Sequence, residues 1–243
     1  MCLFVEKTML LGMVMRFSNA LQMKNVDGAE QKFQVTPQAA KLFYKGAKHY
    51  ENKDYEVATK LFKQAANEGF VGAQFFLGNC YYHGHGVKEN VKQAFYWTKK
   101  AAEQGDEISQ MHLGSMYELG EGVPENPRLA AHWYKRAAKQ GFAHAQRYLG
   151  EFYEYGKGVM ISSRRALSWY RKAAQADNEY AQYALGSAYN FGIEGILKKS
   201  DNMARTWYEK VKYNKNAGQE IKDAAEFMLQ SLPEVENAPA KKK

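Results

Sequence analysis

The sequence predicts an all-α fold, an α–α superhelix in which antiparallel helix pairs stack as a solenoid. Three recurrences predict it. Leu-Gly pairs return every 36 residues, at Leu77-Gly78, Leu113-Gly114, Leu149-Gly150 and Leu185-Gly186. A Gly-x-Gly-Val segment follows the first three at one phase, at 84–87, 120–123 and 156–159. A second series repeats after each segment: Ala94, Trp97 and Ala101-Ala102, then Ala130, Trp133 and Ala137-Ala138, then Ala166, Trp169 and Ala173-Ala174. A fixed period of this size marks an array of two-helix units, each too small to bury its apolar face alone.

In chain order, residues 1–35 are a non-repeat leader and 36–69 form a hairpin with the spacing of a tetratricopeptide unit, carried by Gly46, Ala58, Phe62 and Ala65. Thr36 is its N-cap, and Pro37 fits the first turn, where a missing N–H costs nothing. Repeats follow at 70–105, 106–141, 142–177 and 178–214. In the first helix of the 70–105 repeat, Ala73, Leu77 and Tyr81 lie four apart on one stripe. Gly78 has no side chain and lets a neighbouring helix come close. Gly-x-Gly-Val then ends the helix, because glycine reaches backbone angles closed to other residues.

Second helices have a common start signal. Asp54, Asn90, Asn126, Ser162 and Ser200 stand four residues before the alanine, and each can accept hydrogen bonds from free helix-terminal amides. Pro127 again suits a first turn. Gly69, Gly105 and Gly141 close the second helices, with Asp177 in that place one repeat later. The 178–214 repeat departs at Gly192-Ile193-Glu194-Gly195, and Trp207 comes 38 residues after Trp169. Ala224, Ala225, Met228, Leu229 and Leu232 make an apolar stripe on a capping helix over 217–232. The charged tail over 233–243 is expected to be disordered.

The long pattern Ala-Gln-x-x-Leu-Gly-x-x-Tyr-x-x-Gly-x-Gly-Val, then Ala-x-x-Trp-Tyr-x-Lys-Ala-Ala, resembles that of the Sel-one-like repeat family, a relative of the tetratricopeptide repeats. The resemblance covers about residues 70–213, with the related hairpin before it. It implies a right-handed superhelix used as an adaptor or scaffold in protein complexes. Cysteine-rich members of the family are exported and linked to penicillin binding. This chain has only Cys2 and Cys80 and lacks their paired pattern, so that association does not carry over.

Composition narrows the partners. The net charge of +8 is spread along the chain and interrupted by acidic residues, with its densest cluster at Arg164-Arg165 and Arg171-Lys172. A nucleic-acid interface would gather that charge on one surface, so a nucleic-acid partner is not expected. No apolar run reaches the roughly 18–20 residues of a membrane span. In the leader, Thr8 to Met15 is apolar and Ser18-Asn19-Ala20 is small, but Glu6 and Arg16 oppose a secretory signal with its positive front and longer apolar core. A cytoplasmic location is favoured, with a periplasmic or secreted one as the alternative.

Candidate chemistry is sparse. Cys80, His83 and His85 are ligand types that suit zinc, yet their repeat equivalents Met116, Leu119 and Glu121 are not a ligand set. No metal and no cofactor are expected. A helix precedes each Gly-x-Gly, not the strand that a phosphate cradle needs, so these are helix–helix turns. The six histidines, His49, His83, His85, His112, His132 and His144, are scattered; only His112 and His144 are placed to reach a groove. Without a nucleophile–base pair there is no catalytic residue to propose, and no enzyme is expected.

The site argument is geometric. First helices line the concave side, and positions flanking the Leu-Gly stripe point away from the core. The predicted groove therefore carries Phe75, Asn79 and Tyr82; Met111, Ser115 and Glu118; Arg147, Glu151 and Glu154; Tyr183, Ser187 and Asn190. Aromatics and arginine are frequent interface anchors, so the expected occupant is a peptide or protein. An exported or periplasmic effector or envelope protein of the same fold is the alternative reading. A hydrolase acting on a cell-wall-like ligand is a third.

Overall fold

The computed structural model describes residues 36–233. The leader over 1–35, with the export signal weighed there, and the tail after Pro233 lie outside the described residues. Eleven α-helices run in order: α1 (Pro37–Glu51), α2 (Tyr55–Asn67), α3 (Val71–His83), α4 (Val91–Glu103), α5 (Glu107–Leu119), α6 (Pro127–Lys139), α7 (Ala143–Tyr155), α8 (Ser163–Gln175), α9 (Glu179–Phe191), α10 (Asp201–Tyr213) and α11 (Gln219–Ser231). The described residues contain no strand, only an isolated bridge between Ile193 and Leu197. Two compact units divide at Asn126 and Pro127. The first holds α1 to α5 and the second α6 to α11, and inside each unit helices pack on one another in chain order.

The caps place the helices. Side-chain oxygens of Thr36, Asn90, Ser162 and Ser200 accept from the amides of Ala39, Gln93, Arg165 and Met203 at 3.0, 3.1, 3.4 and 3.3 Å. Asp54 corrects the series. It makes no capping bond, and its carboxylate lies 3.3 Å from His49 Nδ1. The tight turn before it, with Lys53 at φ 65°, leaves Asp54 at ψ 59°, short of the extended geometry a cap adopts. Two buried caps went unread in the sequence: Asp106 accepts from Ser109 N at 2.7 Å, and Asn178 from Ala181 N at 3.0 Å.

Three devices fit the helices together, two of them between repeats and one within a repeat. The second loop glycine touches backbone of the preceding repeat: a Cβ on Gly86 would lie 2.2 Å from Tyr55 O, on Gly122 2.3 Å from Val91 O, and on Gly158 2.3 Å from Pro127 O. No side chain fits there. Likewise the glycine of the Leu-Gly pair is crossed by a side chain of the second helix. A Cβ on Gly150 or Gly186 would stand 2.6 Å from the rings of Tyr170 or Tyr208. The third device is the buried glutamine of each Ala-Gln pair. Gln74, Gln110, Gln146 and Gln182 donate to the carbonyls of Ala66, Ala102, Ala138 and Ala174 at 3.2, 3.1, 3.1 and 3.4 Å. Those carbonyls lie in the last helical turn and also accept from the closing-turn amides of Gly69, Gly105, Gly141 and Asp177. The glutamine takes the remaining lone pair of a carbonyl that lacks its interior helical donor, and so joins adjacent repeats.

Between these joints the core is Leu77, Leu113, Leu149 and Leu185, all essentially without exposure. Each contributes about 2 kcal/mol of apolar burial. The longer loop of the last repeat keeps the closing bond of its predecessors. Ser200 N donates to Tyr189 O at 2.8 Å, as Asn90 N does to Tyr81 O and Ser162 N to Tyr153 O, each also at 2.8 Å. The insertion is absorbed inside the loop. Ala225, Leu232, Met228 and Leu229 of the final helical segment pack on Ala204, Tyr208 and Val211. Pro233, read in the sequence as the start of the tail, accepts a hydrogen bond from Arg205 at 2.7 Å.

Candidate functional site

Each unit opens a cleft beside the Leu-Gly position. In the first unit it is a cavity of about 250 Å³ among α3, α4 and α5. Phe75, Asn79 and Tyr82 line it from α3, Thr98 from α4, and His112 and Ser115 from α5, with Glu121 from the following loop. Tyr82 Oη donates to Glu121 at 2.7 Å. That bond, then burial, pushes the Tyr82 phenol up to about 12. The His112 ring meets Phe75 edge-on at 5.6 Å. Burial pushes its imidazole down to about 4, and nearby His83 adds to the effect, so it is neutral at pH 7.

The second unit has a larger cleft, about 460 Å³, among α7, α8 and α9. Glu151, Glu154 and Tyr155 come from α7, Leu167 and Tyr170 from α8, and Tyr180, Tyr183, Ala184, Ser187 and Phe191 from α9. Most of these are repeat positions of the first cleft, two periods later, with Tyr170 for Thr98, Ala184 for His112 and Glu154 for Tyr82, while Leu167, Tyr180 and Tyr183 line the second cleft alone. Tyr170 is buried across Gly150 and donates to Glu154 at 2.5 Å. Burial, followed by that bond, pushes its phenol up. The Glu154 charge foremost pushes up the Tyr155 phenol. Beside the cleft, Arg147 pairs with Glu151, and its guanidinium lies 3.9 Å from the Tyr148 ring centroid and 5.2 Å from that of Tyr180.

The sequence-predicted groove residues divide accordingly. Phe75, Asn79, Tyr82 and Ser115 line the first cleft, and Glu151, Glu154, Tyr183 and Ser187 the second. Phe75 is a buried wall, 5% exposed. Met111, Glu118 and Asn190 are half-buried outside the two linings, and Asn190 hydrogen-bonds Tyr208. His112 lines its cleft, whereas His144 lies 3.4 Å from Asn178 Nδ2 outside the second. Cys80 is fully buried, and His85 bonds Tyr50 Oη at 2.8 Å and stacks on Tyr55. Among the described residues no three His, Cys, Asp or Glu side chains gather to hold a metal.

Sequence reasoning missed the lips. Leu119, Tyr155 and Phe191 each precede the first loop glycine and are 65, 65 and 74% exposed. Their shared phase was legible, but an apolar residue at repeat spacing reads as core.

The Sel1 repeat family model matches residues 38–70, 71–106, 108–142, 143–178 and 179–210, well over half the chain. The chain belongs to the Sel1 repeat family. That match takes in the first hairpin too, so the Sel1 series begins there. A Sel1 repeat protein from Oxalobacter formigenes is similar at 31% identity and TM-score 0.68, over 79% of this chain and 87% of that one. A protective antigen of uropathogenic Escherichia coli strains that displays an SLR fold is 27% identical with TM-score 0.69. The similarity covers 79% of this Sel1 chain but 46% of the antigen. None of the curated proteins matches the sequence. Sel1 repeats are commonly protein-interaction scaffolds.

Proposed function

We propose that this Sel1 repeat chain is a non-enzymatic scaffold that holds an extended peptide or protein segment in the clefts beside its Leu-Gly positions. The observation that carries this reading is the set of exposed apolar lips, Leu119, Tyr155 and Phe191, at one repeat phase beside preformed cavities. Apolar surface held open to water is recovered when a partner covers it, at about 25 cal/mol per Å². The membership of the family supports the scaffold role. A cytoplasmic location goes with the proposal. Loss of about the first 20 residues from the mature protein, read by mass, would instead place it beyond a membrane.

The test is a peptide-array screen of the full chain, followed by affinity measurements on captured peptides. Tyr82→Ala, Tyr183→Ala and Phe191→Ser are each expected to weaken binding at least about tenfold, or about 1.4 kcal/mol. Retention of every peptide by all three variants, each checked as folded by circular dichroism, removes the clefts from the function.

A further inference from the structure

The two clefts differ in charge, and the difference points to an occupant. Of the side chains lining the second cleft, Glu151 and Glu154 are charged, and no lysine or arginine is among them. The chain as a whole carries +8, so this is a local reversal of sign. Arg147 answers Glu151. Glu154, an exposed residue, accepts a bond from the neutral phenol of Tyr170 and, among the described residues, pairs with no such cation. Around it stand Tyr155, Tyr180, Tyr183 and Phe191; Tyr155 and Tyr180 are 65 and 50% exposed. The raised phenols of Tyr155 and Tyr170 carry no charge near neutral pH, so Glu154 is the charge in the lining that Arg147 does not answer, with Lys157 beside Tyr155 but outside the lining.

We propose that this cleft receives a basic side chain, a lysine ammonium or arginine guanidinium carried by the bound peptide, with Glu154 as counter-ion and the aromatic rings as walls for the alkyl stem. The inference rests on the scaffold reading above and names its specificity. Carboxylate plus aromatic walls suits a cation on a hydrocarbon stem, because rings attract cations and the carboxylate supplies the charge. A purely apolar guest would strip water from Glu154 without replacing it, and an acidic guest would meet it with like charge. Arg147 shows the same pairing within the chain, a guanidinium between a carboxylate and the rings of Tyr148 and Tyr180. The first cleft is a poorer fit, because it is smaller, has the single carboxylate Glu121 where the second has two, and is lined by the histidines His83 and His112.

The test titrates the full chain, with isotope-labelled tyrosine rings, against one short Gly/Ser peptide carrying a single central lysine, arginine, norleucine or glutamate. The lysine or arginine peptide is expected to shift the Tyr180 and Tyr183 resonances saturably, at least about tenfold more tightly than the norleucine peptide. Raising the salt concentration should narrow that preference in the unaltered protein. Glu154→Gln keeps an acceptor for Tyr170 and is expected to abolish it. Equal binding of norleucine and lysine, or a preference unchanged by both salt and Glu154→Gln, overturns the basic-guest assignment while leaving the cleft a peptide site. If none of the four peptides shifts any cleft resonance, the basic-guest assignment falls, and the scaffold reading is then judged by the array screen above.

Discussion

The cleft among α3, α4 and α5 and the cleft among α7, α8 and α9 occupy one phase of the Sel1 repeat, yet different helices fill them. In the second unit the second helix of the pair supplies the bulk through Tyr170, opposite the small Ala184 of α9. In the first unit that place on α4 is Thr98, and the bulk comes instead from His112 on α5. The framework beneath is the same: Leu77 and Leu149 are both buried, each followed by a glycine that a second-helix side chain crosses. Repetition thus fixes the positions that join repeats and leaves the cleft walls free to differ. One solution gives a smaller, histidine-lined notch with the single carboxylate Glu121, the other a larger cleft with two, Glu151 and Glu154.

If bulk is traded in this way, Tyr170→Ala and Thr98→Ala should differ sharply. The first is expected to cost about 3–5 kcal/mol in chemical denaturation and the second about 1 kcal/mol. Equal costs would break the comparison. The next largest effect is on acid stability. His112 is held at about 4 in the folded chain, below its ordinary 6.5. Its contribution is therefore present above pH 6.5 and is lost as pH falls toward 4, by roughly 3 kcal/mol. His144 is lowered by burial as well, with the same sign. The informative measurement is thus the difference between His112→Phe and the unaltered protein, and the variant should show the shallower decline from pH 7 to 4.

Crowding at the glycines gives a smaller contrast. Gly150→Ala must displace a buried, hydrogen-bonded ring and is expected to lose about 2 kcal/mol. At Gly78 the nearest atom is Thr98 Oγ1, 2.8 Å from where a Cβ would stand, with backbone atoms of Ala94 and Thr98 at 3.3 Å, so a χ1 turn of one small side chain and a slight helix shift give the room. Gly78→Ala should therefore lose less than about 1 kcal/mol, since alanine also favours the helix. The last effect, similarly small, is a gain. Gln74 Oε1 accepts from Gln104 at 2.7 Å and Gln182 Oε1 from Asn214 at 3.1 Å, whereas buried Gln146 Oε1 has no hydrogen-bond partner. Its missing donor would come from the repeat position held by Ala176. Ala176→Gln is expected to add about 1 kcal/mol and raise the melting temperature by about 2–4 °C.

Much of this was legible because it is local and repeats. The Leu-Gly phase, the Ser and Asn caps and the positive-φ endings at Gly69, Gly105, Gly141 and Asp177 follow from short stretches of chain. What was not legible depends on a third element. Asp54 fails as a cap because of the turn before it, a detail that residue type does not carry. Phe75 looks outward from its own helix, but α5 brings His112 over it. The Ala-Gln pairs were visible as a signature, while the carbonyl each glutamine serves belongs to the preceding repeat. Tyr180 was passed over because it lies off the Leu-Gly stripe, and Phe191 because an apolar residue at repeat spacing reads as core.

The second loop glycine carries a further meaning for how such a chain can change length. Gly86, Gly122 and Gly158 seat on Tyr55, Val91 and Pro127 in the same manner, so the modules that carry these three loops have like seats. Duplication or excision of one whole module would preserve those seats, while a gain or loss of a few residues within the seat would break one. The last loop escapes that rule, since Gly195 faces open space, and there alone the chain has accepted extra residues.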